Sequence, residues 1–155
     1  MTAVTFRLAA SLLWIAAAIA VSAAEARTPL YERLGGAQGV AAIADSLIDR
    51  VASDPRTGSS FKDTNLDHIK KMLTEQICDL SGGPCRYSGD SMKETHAGHH
   101  ISEAEFYGMV ADLRDILHER RVSLGATNEL LRLLAPMKRD VVERGVVERA
   151  PTGTQ

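Results

Sequence analysis

The chain has no surplus of basic residues, no apolar run long enough to cross a bilayer, and no stretch of strand-like alternation. Each absence removes a class of protein. Eighteen lysines and arginines stand against 20 acids, a net charge of −2. That is not the basic footprint of a nucleic-acid-binding surface. Acids and bases alternate along helical faces, which is the pattern of a solvated exterior. The uncharged run "LAASLLWIAAAIAV" has 14 residues, against roughly 20 for a membrane-spanning helix. No internal repeat is visible. With 155 residues, the chain has room for one domain.

The apolar run follows a single Arg7. It precedes "SAAEA", small residues spaced for signal peptidase, with cuts after Ala24 or Ala26. This is the layout of a secretory leader. Residues 1–26 are therefore expected to be removed. A domain at 27–144 and a flexible tail at 145–155 would remain, in the periplasm or outside the cell and off the membrane. No cysteine follows the run, which argues against a lipoprotein. The leader removes only Arg7 and Glu25 from the charge count, so the net charge stays at −2.

Cysteine is scarce: Cys78 and Cys85 are the only two. In an exported chain an even number favours a disulfide over two buried thiols. Closing that short loop would stabilise the fold by ~2–3 kcal/mol. Six intervening residues exclude a CxxC redox pair. No CxxCH string is present, so covalent attachment of a c-type haem is not expected.

What the sequence does contain is helical periodicity. Val40, Ile43, Leu47, Ile48 and Val51 predict a helix over 37–53. Asp54-Pro55 and Gly58-Ser59-Ser60 break it, and Phe61 follows. Leu66, Ile69, Leu73, Ile77 and Leu80 predict a second helix over 65–80, with Met72 and Gln76 beside the stripe. Ser81-Gly82-Gly83-Pro84 ends it. Ser91 and Glu94 have capping-box spacing at a short helix over 91–96, closed by Ala97-Gly98. Ser102 and Glu105 repeat that spacing before Phe106, Met109, Val110, Leu113, Ile116 and Leu117. A last helix is expected over 127–144, kinked by Pro136. The fold class is all-α. The odd element is 81–101, a long segment poor in apolar residues, which something must organise.

Three histidines, His96, His99 and His100, fall in "KETHAGHH" within that segment. One reading makes them a haem-free site for Zn²⁺ or Cu²⁺. Another places a flat apolar cofactor between the helices, with one axial ligand on the short helix. Met92 and His96 are i,i+4 neighbours. A neutral imidazole is the usual ligand for haem iron in globins. Phe61, Ile69, Met72, Leu73, Ile101 and Phe106 are candidate apolar walls. Each also has an ordinary reading as core.

The motifs "LYERLGG" (30–36), "DRVASDPR" (49–56), Phe61, "GGPCRYSGDSMKETHAG" (82–98), Ile101, Ser102, Glu105, Phe106 and "LLAPMKRDVV" (133–142) occur in one order. In that order and spacing the chain resembles the group I truncated haemoglobins, short globins with a two-over-two helical sandwich. The resemblance covers about residues 29–143. "QIC" and "GGPC" are similar to an exported subset. The resemblance implies non-covalent haem b with His96 as the proximal ligand. His99 and His100 then become loop residues. His68 and Tyr87 become candidates for the haem propionates.

The chain departs from the family on the other face. The best-known members have a tyrosine and one or two glutamines there, which hydrogen-bond bound O₂. Here Ile48 stands at the tyrosine position, with Ile69 and Leu73 where distal polar groups often occur. Gln76 is the nearest polar side chain. A hydrogen bond stabilises bound O₂ by ~1 kcal/mol, so O₂ should leave an apolar pocket sooner and CO should suffer less. The leading expectation is reversible binding of O₂, CO or NO. NO dioxygenation or peroxidase-like turnover would be incidental. A second expectation makes Met72 a sixth ligand, which would raise the haem potential and suit electron transfer or redox sensing with an unidentified redox partner.

Overall fold

The computed structural model describes residues 28–143 apart from Arg56 and Asp63. The expected leader at 1–26 and tail at 145–155 lie outside the described residues. No strand occurs among the described residues. A single turn, α1 (Leu30–Arg33), precedes the long α2 (Gly36–Ser53). Next come a 3-10 turn at Gly58–Phe61, α3 (Leu66–Leu80) and the short α4 (Met92–His96). The chain then forms α5 (Glu103–Glu119), α6 (Leu124–Leu134), a 3-10 turn at Ala135–Met137 and α7 (Lys138–Val141).

The apolar periodicity of α2 determines its place. Val40, Ile43, Ala44, Leu47, Ile48 and Val51 recur every three or four residues, and all are buried. They meet Ile77 and Cys78 of α3, Leu113, Ile116 and Leu117 of α5, and Ala126 and Leu130 of α6. Leu30, Tyr31 and Leu34 close the same core from α1. Thus α2 packs on α3 and α5, and α5 also contacts α6. Arg33 fastens α1 to α6 through Glu129 at 2.8 Å.

Two expectations at the C-terminal end are corrected. The last helix starts at Leu124, where the Ser123 hydroxyl accepts the Ala126 N–H, and not near 127. It also does not run on to 144 as one kinked helix. Pro136 has no N–H to donate, and the backbone tightens into the 3-10 turn at Ala135–Met137 before α7 resumes. Among the described residues α-helical structure ends at Val141, and residue 144 lies outside them.

Candidate functional site

The local sequence makes α4 a helix although it is only five residues long. So short a helix is marginal by propagation alone. Its N-terminus is a reciprocal capping box. The Ser91 hydroxyl accepts the Glu94 N–H at 3.3 Å. The Glu94 carboxylate accepts the Ser91 N–H at 3.1 Å and the Ser91 hydroxyl at 2.6 Å. Those two Ser91 donors, the hydroxyl first, hold the Glu94 carboxyl below the usual carboxylate range.

His96 is the last residue of α4. Its Nδ1 lies 2.7 Å from the Met92 carbonyl oxygen. A carbonyl only accepts, so Nδ1 carries the proton and Nε2 keeps its lone pair. Burial pushes the imidazole below its ordinary pKa, and nearby His99 adds to this; the Met92 carbonyl opposes it. Burial therefore favours the neutral ring, and the Met92 contact selects the tautomer that a metal ligand needs. Ala97 leaves the helix in an extended conformation, and Gly98 takes φ 77°. That positive φ suits glycine and turns the chain away.

Beyond this turn the histidines part. His99 and His100 are both exposed. His100 Nδ1 lies 2.6 Å from the Glu143 carboxylate. The Glu143 N–H also donates to the Ile101 carbonyl at 3.0 Å. Among the described residues no three His, Cys, Asp or Glu side chains come together to hold a metal ion. The reading of His96, His99 and His100 as one haem-free metal centre is thereby corrected. The physical reason is the turn at Gly98 and the Glu143 carboxylate that engages His100.

The segment between α3 and α4 is organised from below. Cys78 and Cys85 form a disulfide. Gly83 must be small because a Cβ there would come within 2.6 Å of both Cys78 Sγ and the Tyr31 ring. The Tyr31 N–H donates to the Ser81 carbonyl at 3.0 Å. Two carboxylates one turn apart on α3 then take the next residues. Asp79 accepts the Tyr87 N–H at 3.0 Å. Glu75 accepts the Ser88 hydroxyl at 2.7 Å. Sequence reasoning missed both anchors, because an i,i+4 acid pair on a helix surface has the pattern of an ordinary solvated face. Tyr87 folds over its own loop, its hydroxyl donating to the Asp90 carbonyl at 2.9 Å.

The remaining candidates differ in exposure. Ile48 is enclosed in the core at 2% exposure. Phe61, Ile69 and Leu73 are half-buried and pack against that core. Met72, Met92, Ile101 and Phe106 are also half-buried. The Phe106 ring meets Tyr107 edge-on at 5.8 Å. His68 is exposed, and its backbone N–H is taken by the Asn65 cap. Gln76 is buried at 8% exposure. Its Nε2 lies 3.1 Å from Met92 Sδ and 3.7 Å from Met137 Sδ. The structure thus brings Gln76, Met92 and His96 into one chain of contacts, with Met137 unforeseen.

These residues suit a flat apolar group with one nitrogen ligand. The core side chains are closed off, while this second set of apolar residues is left half-covered, and α4 offers an imidazole whose neutral form burial favours. A helical sandwich that presents such an imidazole on a short helix has the architecture of a globin. The sequence model of the bacterial-like globin family matches residues 29–143. A group 1 truncated haemoglobin of Tetrahymena pyriformis is 30% identical over 113 residues, covering 73% of this chain and 93% of that one. One from Mycolicibacterium paratuberculosis is 28% identical, covering 72% and 82%. The ferric crystal structure of the Tetrahymena pyriformis protein superposes with a TM-score of 0.71 at 29% identity, covering 76% of this chain and all of that one. A 2/2 haemoglobin from a Synechococcus species, solved in the cyanomet state with covalently attached haem, gives 0.69 at 25% identity over the same shares. The chain belongs to the bacterial-like globin family and is a group 1 truncated haemoglobin. Membership carries with it a haem cofactor and a small gaseous ligand.

Proposed function

We propose that the protein is an exported haem b globin that reversibly binds O₂, CO or NO, with His96 as the proximal ligand. The observation that carries this reading is the 2.7 Å contact from His96 Nδ1 to the Met92 carbonyl. It selects the tautomer that leaves Nε2 free, on a ring whose neutral form burial favours. Haem iron, when bound, supplies an open position for a diatomic gas. The chain supplies one ligand from α4 and an apolar surround that includes Phe61, Ile69, Leu73 and Phe106. No thiolate is available for axial ligation, because both cysteines are in the disulfide.

The pocket side of the reading rests on side-chain chemistry. Ile48, Ile69 and Leu73 have no hydrogen-bond donor. A polar gas such as O₂ gains nothing from them, whereas CO loses little. Solved forms of the Tetrahymena protein include variants at a tyrosine and at two glutamines, residue types that these three positions lack. Export to the periplasm or beyond is part of the same proposal. It is supported by the leader-like residues 1–26 and by the disulfide.

The test is spectroscopic and kinetic. Haem-reconstituted mature chain should give a Soret band and a pyridine haemochrome spectrum of haem b. Leu73→Gln should slow O₂ dissociation by about fivefold, the worth of one net hydrogen bond, and leave CO release nearly unchanged. A wild-type chain that takes up no haem would overturn the reading. A low-spin six-coordinate ferric spectrum lost in Met72→Ala would replace gas binding with electron transfer.

A further inference from the structure

The geometry points to Gln76 as a positioning residue for the proximal histidine, acting through Met92; this deepens the haem reading above and rests on it. The starting observation is a polar side chain in the wrong company. Gln76 interrupts the apolar stripe of α3 between Leu73 and Ile77, yet it is buried at 8% exposure. A buried amide is costly unless its hydrogen bonds are made. The neighbours of its Nε2 are two thioethers, Met92 Sδ at 3.1 Å and Met137 Sδ at 3.7 Å. Thioether sulfur is a weak acceptor. A leucine at position 76 would satisfy packing without the desolvation cost.

What the amide does is join elements that little else joins. None of the α4 side chains is fully buried. The helix is located by its capping box, by contact with α7, and by the reach of Gln76 from α3. The residue that Gln76 grips is the one whose carbonyl holds His96 Nδ1, at 2.7 Å. Met137 extends the grip to the 3-10 turn that leads into α7. A shift of Met92 moves that carbonyl, and with it the ring tilt and the strength of the hydrogen bond that tunes imidazole basicity. Gln76 therefore acts on the His96 side, and its donor is directed at a methionine of α4 instead of at the gas.

The test uses haem-reconstituted mature chain in its ferrous, gas-free form. The iron–histidine stretching band is read by resonance Raman, and haem transfer to an acceptor apoprotein gives the loss rate. Gln76→Leu and Met92→Leu should each shift the band and speed haem loss by about three- to fivefold, the scale of one net hydrogen bond. The double variant should do no more than either alone, because both act through one contact. An unshifted band with lower thermal stability would mean a merely structural amide and overturn the inference. So would an unshifted band with an altered C–O stretch of the CO form, which would place Gln76 on the gas. If Gln76→Leu does not fold, Met92→Leu alone decides by the same band. A wild-type band that His96→Ala does not remove would defeat the haem-ligand assignment itself, a separate failure.

Discussion

The half of the molecule around α2 and the half around α4 are built on different physics. Val40, Ile43, Ala44, Leu117, Ala126 and Leu130 are completely buried, and they come from elements far apart in sequence. That half is held by apolar burial, the largest favourable contribution to folding. None of the α4 residues is buried. Its place is set by contact with α7, a capping box and an amide against methionine sulfur, and the segment leading into it is tied by a disulfide and two α3 carboxylates. The first half is complete in itself, while the second is tethered and left open. A cofactor that supplies apolar surface would complete it, and the tethers keep its ligand in position meanwhile.

The largest expected effect tests the separation of the two halves. Ile43→Ala or Leu130→Ala should cost ~2–5 kcal/mol in urea unfolding. The ferrous–CO spectrum of the folded fraction should stay unchanged. If either variant alters that spectrum as much as a change at α4 does, the two halves are one unit and the contrast collapses.

The disulfide comes next. Replacing Cys78 and Cys85 together with serine should cost ~2–3 kcal/mol by chemical denaturation. Because the bond ties the 81–90 segment to α3, haem loss should also accelerate. Equal stability loss with unaltered haem loss would assign the bond to the α2 core alone. Smaller again is Ser91→Ala. Losing the N-cap should cost about 1 kcal/mol, felt more in haem retention than in overall unfolding.

The smallest effect is the Glu75 anchor. The Ser88 hydroxyl, ahead of the Ser88 N–H, holds the Glu75 carboxyl below its ordinary range. The sign follows from linkage. The tie contributes above the ordinary carboxylate pKa and is lost as pH falls through the lowered value. Glu75→Gln should therefore flatten the acid-side mobility change of residues 86–89, followed by NMR. An unchanged titration would remove Glu75 from the tether.

Much of this contrast was legible in the sequence, and for the same physical reasons. The long helices announce themselves because burial imposes a period. Both capping boxes were visible because Ser91 and Glu94, and Ser102 and Glu105, have the required spacing. The tethers were not, because Glu75 and Asp79 look like any solvated acid pair until the loop lies back on them. Gln76 was legible only as a polar residue near an apolar stripe; whether its amide points to the gas side or to Met92 depends on side-chain packing. The turns α1 and α7, each four residues long, are too short to show a period. Pro136 suggested a kink, but not a 3-10 turn with a methionine beside Gln76.

The central claim is that one histidine, held by its own helix, is the haem ligand. His96→Gly, reconstituted with haem and reduced, tests it directly when read before and after addition of free imidazole. The expected result is loss of the wild-type ferrous spectrum and its restoration by imidazole filling the vacated space. A spectrum identical to wild type without imidazole would contradict it.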